Sequence, residues 1–196
     1  MSLFIFDMGE VILLGVRTLK QLSEYVGTDY HDIRMDYSYY DRALMDGYMS
    51  ADDYYRHLED KYQCVIKEDL FVKFFHPAVN MEMLSVIDKL RGNGHRCVIG
   101  SNTFKPHWDH IKTYKEKPLE HFDALYASHL MHMSKPEPAF WRIICQSEGY
   151  DYKDTYFIDD LEENTAAAAS LGITVLKYSG DDKNERAREF FSPFIS

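Results

Sequence analysis

The chain has 196 residues, 45% of them hydrophobic and 28% charged, which suits a soluble globular fold of one domain, or one domain with a modest insertion. With 32 acidic against 22 basic side chains the net charge is −10. That balance argues against nucleic acid or an anionic membrane as partner, and it disfavours an anionic substrate unless a cation or a local basic group offsets it. No run approaches the ~20 apolar residues of a membrane helix. The apolar N-terminus lacks a basic start and is broken by Asp7 and Glu10, so it does not read as a signal peptide. Cys64, Cys97 and Cys145 are sparse and form no CxxC, which points to reduced, buried thiols and a cytoplasmic setting. The sequence carries no signal for oligomeric state.

In chain order, the first element is the apolar run LFIFDM (3–8), a strand of the near-continuous kind that is buried on both faces. Residues 15–79 contain no convincing strand. They read as helices: TLKQLSEYV, DYSYYDRALMDG, SADDYYRHLEDKY and EDLFVKFF, with Ser50 as a cap ahead of Asp52 and Asp53. MEMLSVIDKLRGNG then places Met83, Leu84, Ile87 and Leu90 at helical spacing before Gly92 and Gly94. RCVIGS (96–101) and FDALYAS (122–128) are strands. EPAFWRIICQSEGY is a helix with Pro138 near its start, where the missing N–H costs little. TYFIDD (155–160) is a strand, EENTAAAASLG an alanine-rich helix, TVLKY (174–178) a last strand, and the tail carries one short helix. Strand and helix alternate from residue 80 to 178, which means βαβ units and a parallel sheet. The expected fold is α/β: a Rossmann-like core of residues 1–14 and 80–196 around a central parallel sheet, with a small helical cap, 15–79, inserted after the first strand.

Ligands of open parallel sheets bind beyond the carboxyl ends of the strands. Asp7 ends the first strand, Ser101-Asn102-Thr103 the second, and Asp159-Asp160 the fourth; Lys135 follows the third in SKPEP. Three carboxylates at one rim repel unless a cation sits among them, and hard oxygen ligands in that number suggest Mg²⁺. Lys135 and the Ser101 hydroxyl could then hold a phosphate, leaving Asp7 to attack phosphorus.

The pieces FDMGEVIL, VIGSNT, MSKPEPAFW and FIDDLEENTAAAASLG resemble, in order and at plausible spacing, the motifs of the haloacid dehalogenase-like hydrolase superfamily. MDGYMSADDYY is similar to that family's Gly-x-(Ile/Met)-Ser entry to a cap helix. The resemblance implies a phosphatase of a small phosphorylated metabolite that works through an aspartyl-phosphate. It assigns Asp7 as nucleophile, with Asp7, Asp160 and the Gly9 carbonyl on the metal and Asp159 behind them. It assigns Ser101 and Lys135 to the phosphate, with Asn102 as a further phosphate contact. A glycine is common where this chain has His132; if that position needs φ > 0, histidine is strained there.

Phosphatases of the superfamily carry a second Asp two residues after the nucleophile, and here that residue is Gly9. A missing general acid/base costs about 10²–10⁴-fold. Three readings follow. The leaving group needs little help, as in a sugar 1-phosphate, and the Asp-x-Gly form resembles bacterial sugar-1-phosphate phosphatases. Glu10 or a cap residue supplies the proton, although strand alternation points Glu10 elsewhere. Or the protein is a non-catalytic binding or scaffold protein. A 2-haloacid dehalogenase-type hydrolase also lacks that acid, but the Asp159-Asp160 pair favours a metal-dependent phosphatase. Glu162 and Glu163 read as solvated first-turn acids, and the pairs His107/His110 and His129/His132 as packing or surface residues, too few for zinc.

Overall fold

The computed structural model describes residues 1–195. In chain order the strands are β1 (Leu3–Phe6), β2 (Leu13–Leu14), β3 (Ala78–Val79), β4 (Arg96–Ser101), β5 (Ala124–Ala127), β6 (Thr155–Asp159) and β7 (Thr174–Lys177). The helices are α1 (Leu19–Val26), α2 (Tyr30–Met45), α3 (Ala51–Tyr62), α4 (Leu70–Lys73), α5 (Met81–Gly92), α6 (Lys105–Ile111), α7 (Ser128–Met131), α8 (Pro138–Glu148), α9 (Glu162–Ser170) and α10 (Lys183–Phe191). Five strands form one sheet in the order β5-β4-β1-β6-β7, and every neighbouring pair in it is parallel. This is the expected α/β core.

Side chains alternate across a strand, and β1 uses both faces. Leu3 and Ile5 enter a core with Val98, Phe140, Trp141, Ile144 and Phe157, beneath α8 and α9. Phe4 and Phe6 enter the opposite core with Leu84, Ile87, Trp108 and Phe191, beneath α5, α6 and α10. With water excluded from both faces, the strand has no reason to alternate polar and apolar residues, which is why it reads as one apolar run. Gly100 lets α8 approach β4: a Cβ there would lie 2.7 Å from Ile5 Cγ2 and 3.2 Å from the Phe140 ring.

The segment between β1 and α5 differs in three respects from the helical reading of 15–79. Leu13–Leu14 pairs antiparallel with Ala78–Val79, so the chain leaves and re-enters the sheet through a two-residue ribbon. So short a strand has no period to detect. The helix expected at DYSYYDRALMDG begins earlier, at Tyr30, because Asp29 accepts from the His31 N–H and caps it. The helix expected at EDLFVKFF is one turn, α4. Ser50 and Asp53 form a reciprocal capping box at the start of α3.

Helices α1–α4 pack around an apolar cluster of their own, including Leu22, Ile33, Leu44, Tyr54, Leu58 and Phe71, which Phe104 from the sheet side joins. A buried acid anchors it. Asp36 Oδ1 accepts from the Tyr54 hydroxyl at 3.2 Å, and Oδ2 lies 2.8 Å from His57 Nε2 and 2.5 Å from Lys61 Nζ. Burial opposes the charge on Asp36, but the bonds from Lys61 and His57 outweigh it and hold the carboxyl below the usual range.

Two predictions follow from packing and charge. Gly100→Ala should destabilise the protein by about 1–3 kcal/mol through overpacking between β1 and α8; an unchanged urea midpoint would refute the close approach. Asp36→Asn should weaken the fold at neutral pH. A carboxylate held below its unfolded value stabilises above about pH 4 and loses that contribution as pH falls through the folded pKa. The gap between Asp36→Asn and the parent protein should therefore close on acidification below about pH 4. A gap that is constant with pH would remove Asp36 from this role.

Candidate active site

The parallel register puts the site together. Phe6 pairs with Ile99 on one side and Ile158 on the other, so the next residue, Asp7, stands level with Gly100 and Asp159. The Asp7 N–H donates to the Ile158 carbonyl at 2.8 Å, the last rung before the strand leaves the sheet. Chain connections diverge here, β1 leading towards β4 and β6 towards β7, and such a switch point leaves a crevice at the strand ends.

Lys135, in the loop between α7 and α8, is buried at this crevice. Its ammonium donates to Asp7 Oδ1 and to Asp159 Oδ2, each at 2.7 Å. The Lys135–Pro136 peptide is cis. Asn102 fixes the lysine from behind: its Nδ2 donates to the Lys135 carbonyl at 2.9 Å and its Oδ1 accepts the Lys135 N–H at 2.8 Å. The Asn102 side chain thus engages the backbone of the lysine through one donor and one acceptor.

Asp7, Asp159 and Asp160 each offer an oxygen within 4.8 Å of the others. They differ in commitment. Asp159 is fully buried and accepts from Lys135, the Leu161 N–H (2.8 Å) and Asn164 Nδ2 (3.1 Å to each oxygen). Asp7 Oδ2, the Asp160 carboxylate and the Gly9 carbonyl accept no hydrogen bond from another residue among the described residues. Burial pushes the Asp7 carboxyl up to about 7; Lys135 opposes the rise, and Asp159 and Asp160 add to it. Burial and then Asp159 push Asp160 up to about 6. Burial works against the Lys135 ammonium, but Asp159 and Asp7 outweigh it and hold its pKa above the ordinary lysine range. One ammonium does not neutralise three carboxylates. The uncommitted donors are all hard oxygens, which fits a small divalent cation such as Mg²⁺.

Ser101 is buried, and no protein group is bonded to its hydroxyl among the described residues. Gly9 does not lie in the left-handed region, and a Cβ there would meet Val16 Cγ2 at 3.5 Å and Asp7 Oδ2 at 3.7 Å, ordinary contacts. The backbone does not require glycine at position 9. Glu10 is left-handed (φ 55°), and its Oε1 accepts the Gly15 and Val16 N–H groups at 3.2 Å each, which ties it to the loop.

His132 does occupy the left-handed region, φ 54°. Its Nδ1 lies 2.9 Å from the Asp46 carbonyl, and its ring stacks on Tyr48 with centroids 5.4 Å apart. Ser128 Oγ lies 2.5 Å from the Met45 carbonyl beside it. These contacts seam the end of α2 to the loop that carries Lys135. His107 is half-buried, stacks on Phe75 (centroids 3.8 Å apart) and also lines the cavity; burial lowers its pKa to about 3, so it is neutral. Sequence reasoning did not single out Asn164, although its place five residues after Asp159, in the first turn of α9, aims it back at the strand end.

A cavity of about 990 Å³ opens from Gly9, Ser101 and Asn102 towards α1, α2 and α4. Asp7 lies next to this lining but is not part of it.

The model of the haloacid dehalogenase-like hydrolase family matches residues 1–172. The chain belongs to this family. A magnesium complex of a haloacid dehalogenase family enzyme from Bacteroides thetaiotaomicron superposes with a TM-score of 0.80 at 23% identity, covering 96% of this chain and 98% of that one. The GMP/IMP nucleotidase YrfG of Escherichia coli is 23% identical over 156 residues, 80% of this chain and 64% of the relative. The sesquiterpene phosphatase astK of Aspergillus oryzae is 28% identical over 94 residues, 48% of this chain and 47% of the relative. The chain spans less than two thirds of the length of either relative. The family it belongs to is one of hydrolases. No helix among the described residues is long and apolar enough to cross a membrane.

Replacing Lys135 by Met should cost about 3–5 kcal/mol in chemical denaturation, because it leaves Asp7 and Asp159 buried against each other. A neutral or stabilised variant would show that the ammonium does not hold the two acids together.

Proposed function

We propose that the protein is a Mg²⁺-dependent phosphatase of a small phosphorylated metabolite, acting through an aspartyl-phosphate on Asp7. The observation that supports this most is the arrangement of Asp7: one oxygen is held by Lys135, the other is uncommitted, and the unpaired Ser101 hydroxyl belongs to the neighbouring strand end. On this reading residues 15–79 cap a core of residues 1–14 and 80–196, and the cavity between them admits the substrate.

Asp7, Asp160 and the Gly9 carbonyl would hold the metal, with Asp159 orienting Lys135 behind them. When bound, Mg²⁺ supplies positive charge against the phosphate oxygens and the carboxylates. The Asp7 carboxylate forms a bond to phosphorus as the bond to the leaving oxygen breaks, and that oxygen departs with the electron pair. Ser101 and Lys135 hold the non-bridging oxygens in place. Water then cleaves the acyl phosphate and regenerates Asp7. With Gly9 in place of an acid and Glu10 tied to the loop, the oxygen leaves as an anion. Reactivity therefore depends on leaving-group stability, which suits an activated ester such as a sugar 1-phosphate. The names of the relatives, a nucleotidase and a sesquiterpene phosphatase, support a phosphomonoester more than a haloacid. A non-catalytic reading has one observation behind it, the missing acid, and is tested together with the first.

Asp7→Asn should abolish phosphate release from any ester the protein turns over, and chelation of divalent ions should do the same. MgCl₂ should raise the melting temperature of the parent protein and not that of Asp160→Asn. Gly9→Asp, for which the backbone leaves room, should speed hydrolysis of unactivated alkyl phosphates by up to about 10². A folded protein that turns over no phosphomonoester, or whose activity survives Asp7→Asn, ends the phosphatase reading.

A further inference from the structure

Position 9 asks only for a stable leaving group; the cavity beside it discriminates between kinds. A sugar presents several hydroxyls, and each one buried without a partner costs free energy. The cavity has no Asp or Glu in its lining; its neutral polar groups include Thr18, Gln21, Thr103 and His107, and Asn102 already has one donor and one acceptor engaged with Lys135. Its apolar walls are Leu13, Val16, Met45, Phe71 and Phe104, with the ring of Tyr37. The aromatic ones are already in register, Tyr37 to Phe71 at 6.4 Å and Phe71 to Phe104 at 4.7 Å between centroids, both edge-to-face. Such a wall accepts a further ring at the same spacing.

The charges of the lining have one sign. Arg17, Lys20 and Arg34 line the cavity, and none has a carboxylate partner among the described residues. Of the other arginines, Arg42, Arg56, Arg91, Arg96, Arg186 and Arg188 each hold an acid, and Arg142 does not among the described residues. Three unpaired cations beside an apolar wall, all in the segment before α3, form a site for a second anionic group.

Resting on the phosphatase reading above, we infer that the substrate is an aryl phosphate with a second acidic group on its ring system. A phenol ionises near pH 10, as tyrosine does, so its oxygen can depart without a proton donor. Asp7 takes the phosphoryl group, the aryl oxygen takes the electron pair and is protonated by solvent, and water returns Asp7 and inorganic phosphate.

The test compares 2-naphthyl phosphate, its 6-carboxy derivative and glucose 1-phosphate with the parent protein in MgCl₂, and repeats the set with Arg17→Gln/Arg34→Gln. The naphthyl ester should exceed glucose 1-phosphate in kcat/KM by at least about tenfold, and the carboxylate should add about tenfold more through KM, the size of one charge-assisted hydrogen bond. In the double variant, checked for folding by its urea midpoint, the ratio of carboxylated to plain ester should fall towards one. Glucose 1-phosphate as the better substrate, with turnover dependent on Asp7, would overturn the aryl assignment and leave the phosphatase reading standing. If no ester is turned over, fluorescence titration with 6-carboxy-2-naphthyl phosphonate decides. Saturable binding that weakens in the double variant supports the ligand class while the phosphatase reading falls; no binding overturns the ligand class as well.

Discussion

The structure depends on one buried contact: the Lys135 ammonium between Asp7 and Asp159, 2.7 Å from each. These residues are 128 and 24 positions apart in sequence, so the contact ties β1, β6 and the loop before α8 into one unit. Removing two carboxylates and an ammonium from water is expensive, and it is tolerated only when the partners are fixed and further bonds satisfy the remaining lone pairs. Asn102 fixes the lysine backbone and Asn164 completes Asp159. One oxygen of Asp7 and the whole of Asp160 stay outside this economy of bonds. A structure that spends so many groups on Asp159 and leaves Asp160 bare keeps an electrostatic imbalance at one point, which is where a cation and a phosphate can both be accommodated.

The seam between α2 and the Lys135 loop follows from the same constraint. A loop that carries a buried lysine cannot drift, yet His132 in it adopts a conformation that costs an L-residue about 1–2 kcal/mol. The ring returns part of this through Asp46 and Tyr48. Glycine at that position would relieve the strain but would make neither contact. The histidine therefore couples the placement of the helical segment over the site to the placement of the ammonium inside it.

The polar residues at the strand ends are legible in the sequence because a strand buried on both faces admits none until it leaves the sheet. Asp7, Ser101 and Asp159 mark those exits directly. Lys135 is legible only through its motif, since nothing in a lone lysine foretells two buried acids as partners. What was not legible has specific physical causes. The ribbon of β2 and β3 is two residues long and shows no alternation. Asn102 looks like any polar residue after a strand, and only a neighbouring backbone in three dimensions shows it as a clamp on Lys135. The single turn of α4 inside an apolar run is set by Asp69, which caps it and also receives the Tyr55 hydroxyl from α3. The cavity walls come from six separate elements and the loops between them, and could not be assembled from spacing.

The net charge and the cavity resolve a conflict that composition alone raises. A protein at −10 should repel a phosphate ester, since in the chain as a whole the acids outnumber the bases. The field that matters to a ligand is local, however, because exposed charges more than about 10 Å apart are screened at ordinary salt, while low-dielectric walls focus those nearby. The cavity is lined by cations and no carboxylates, and the acids of the site lie behind Gly9, outside its lining. Arg17, Lys20 and Arg34 present positive charge to an anion that enters this cavity. The excess of acid elsewhere then sharpens selection, since anions are favoured along this one approach and disfavoured along the others.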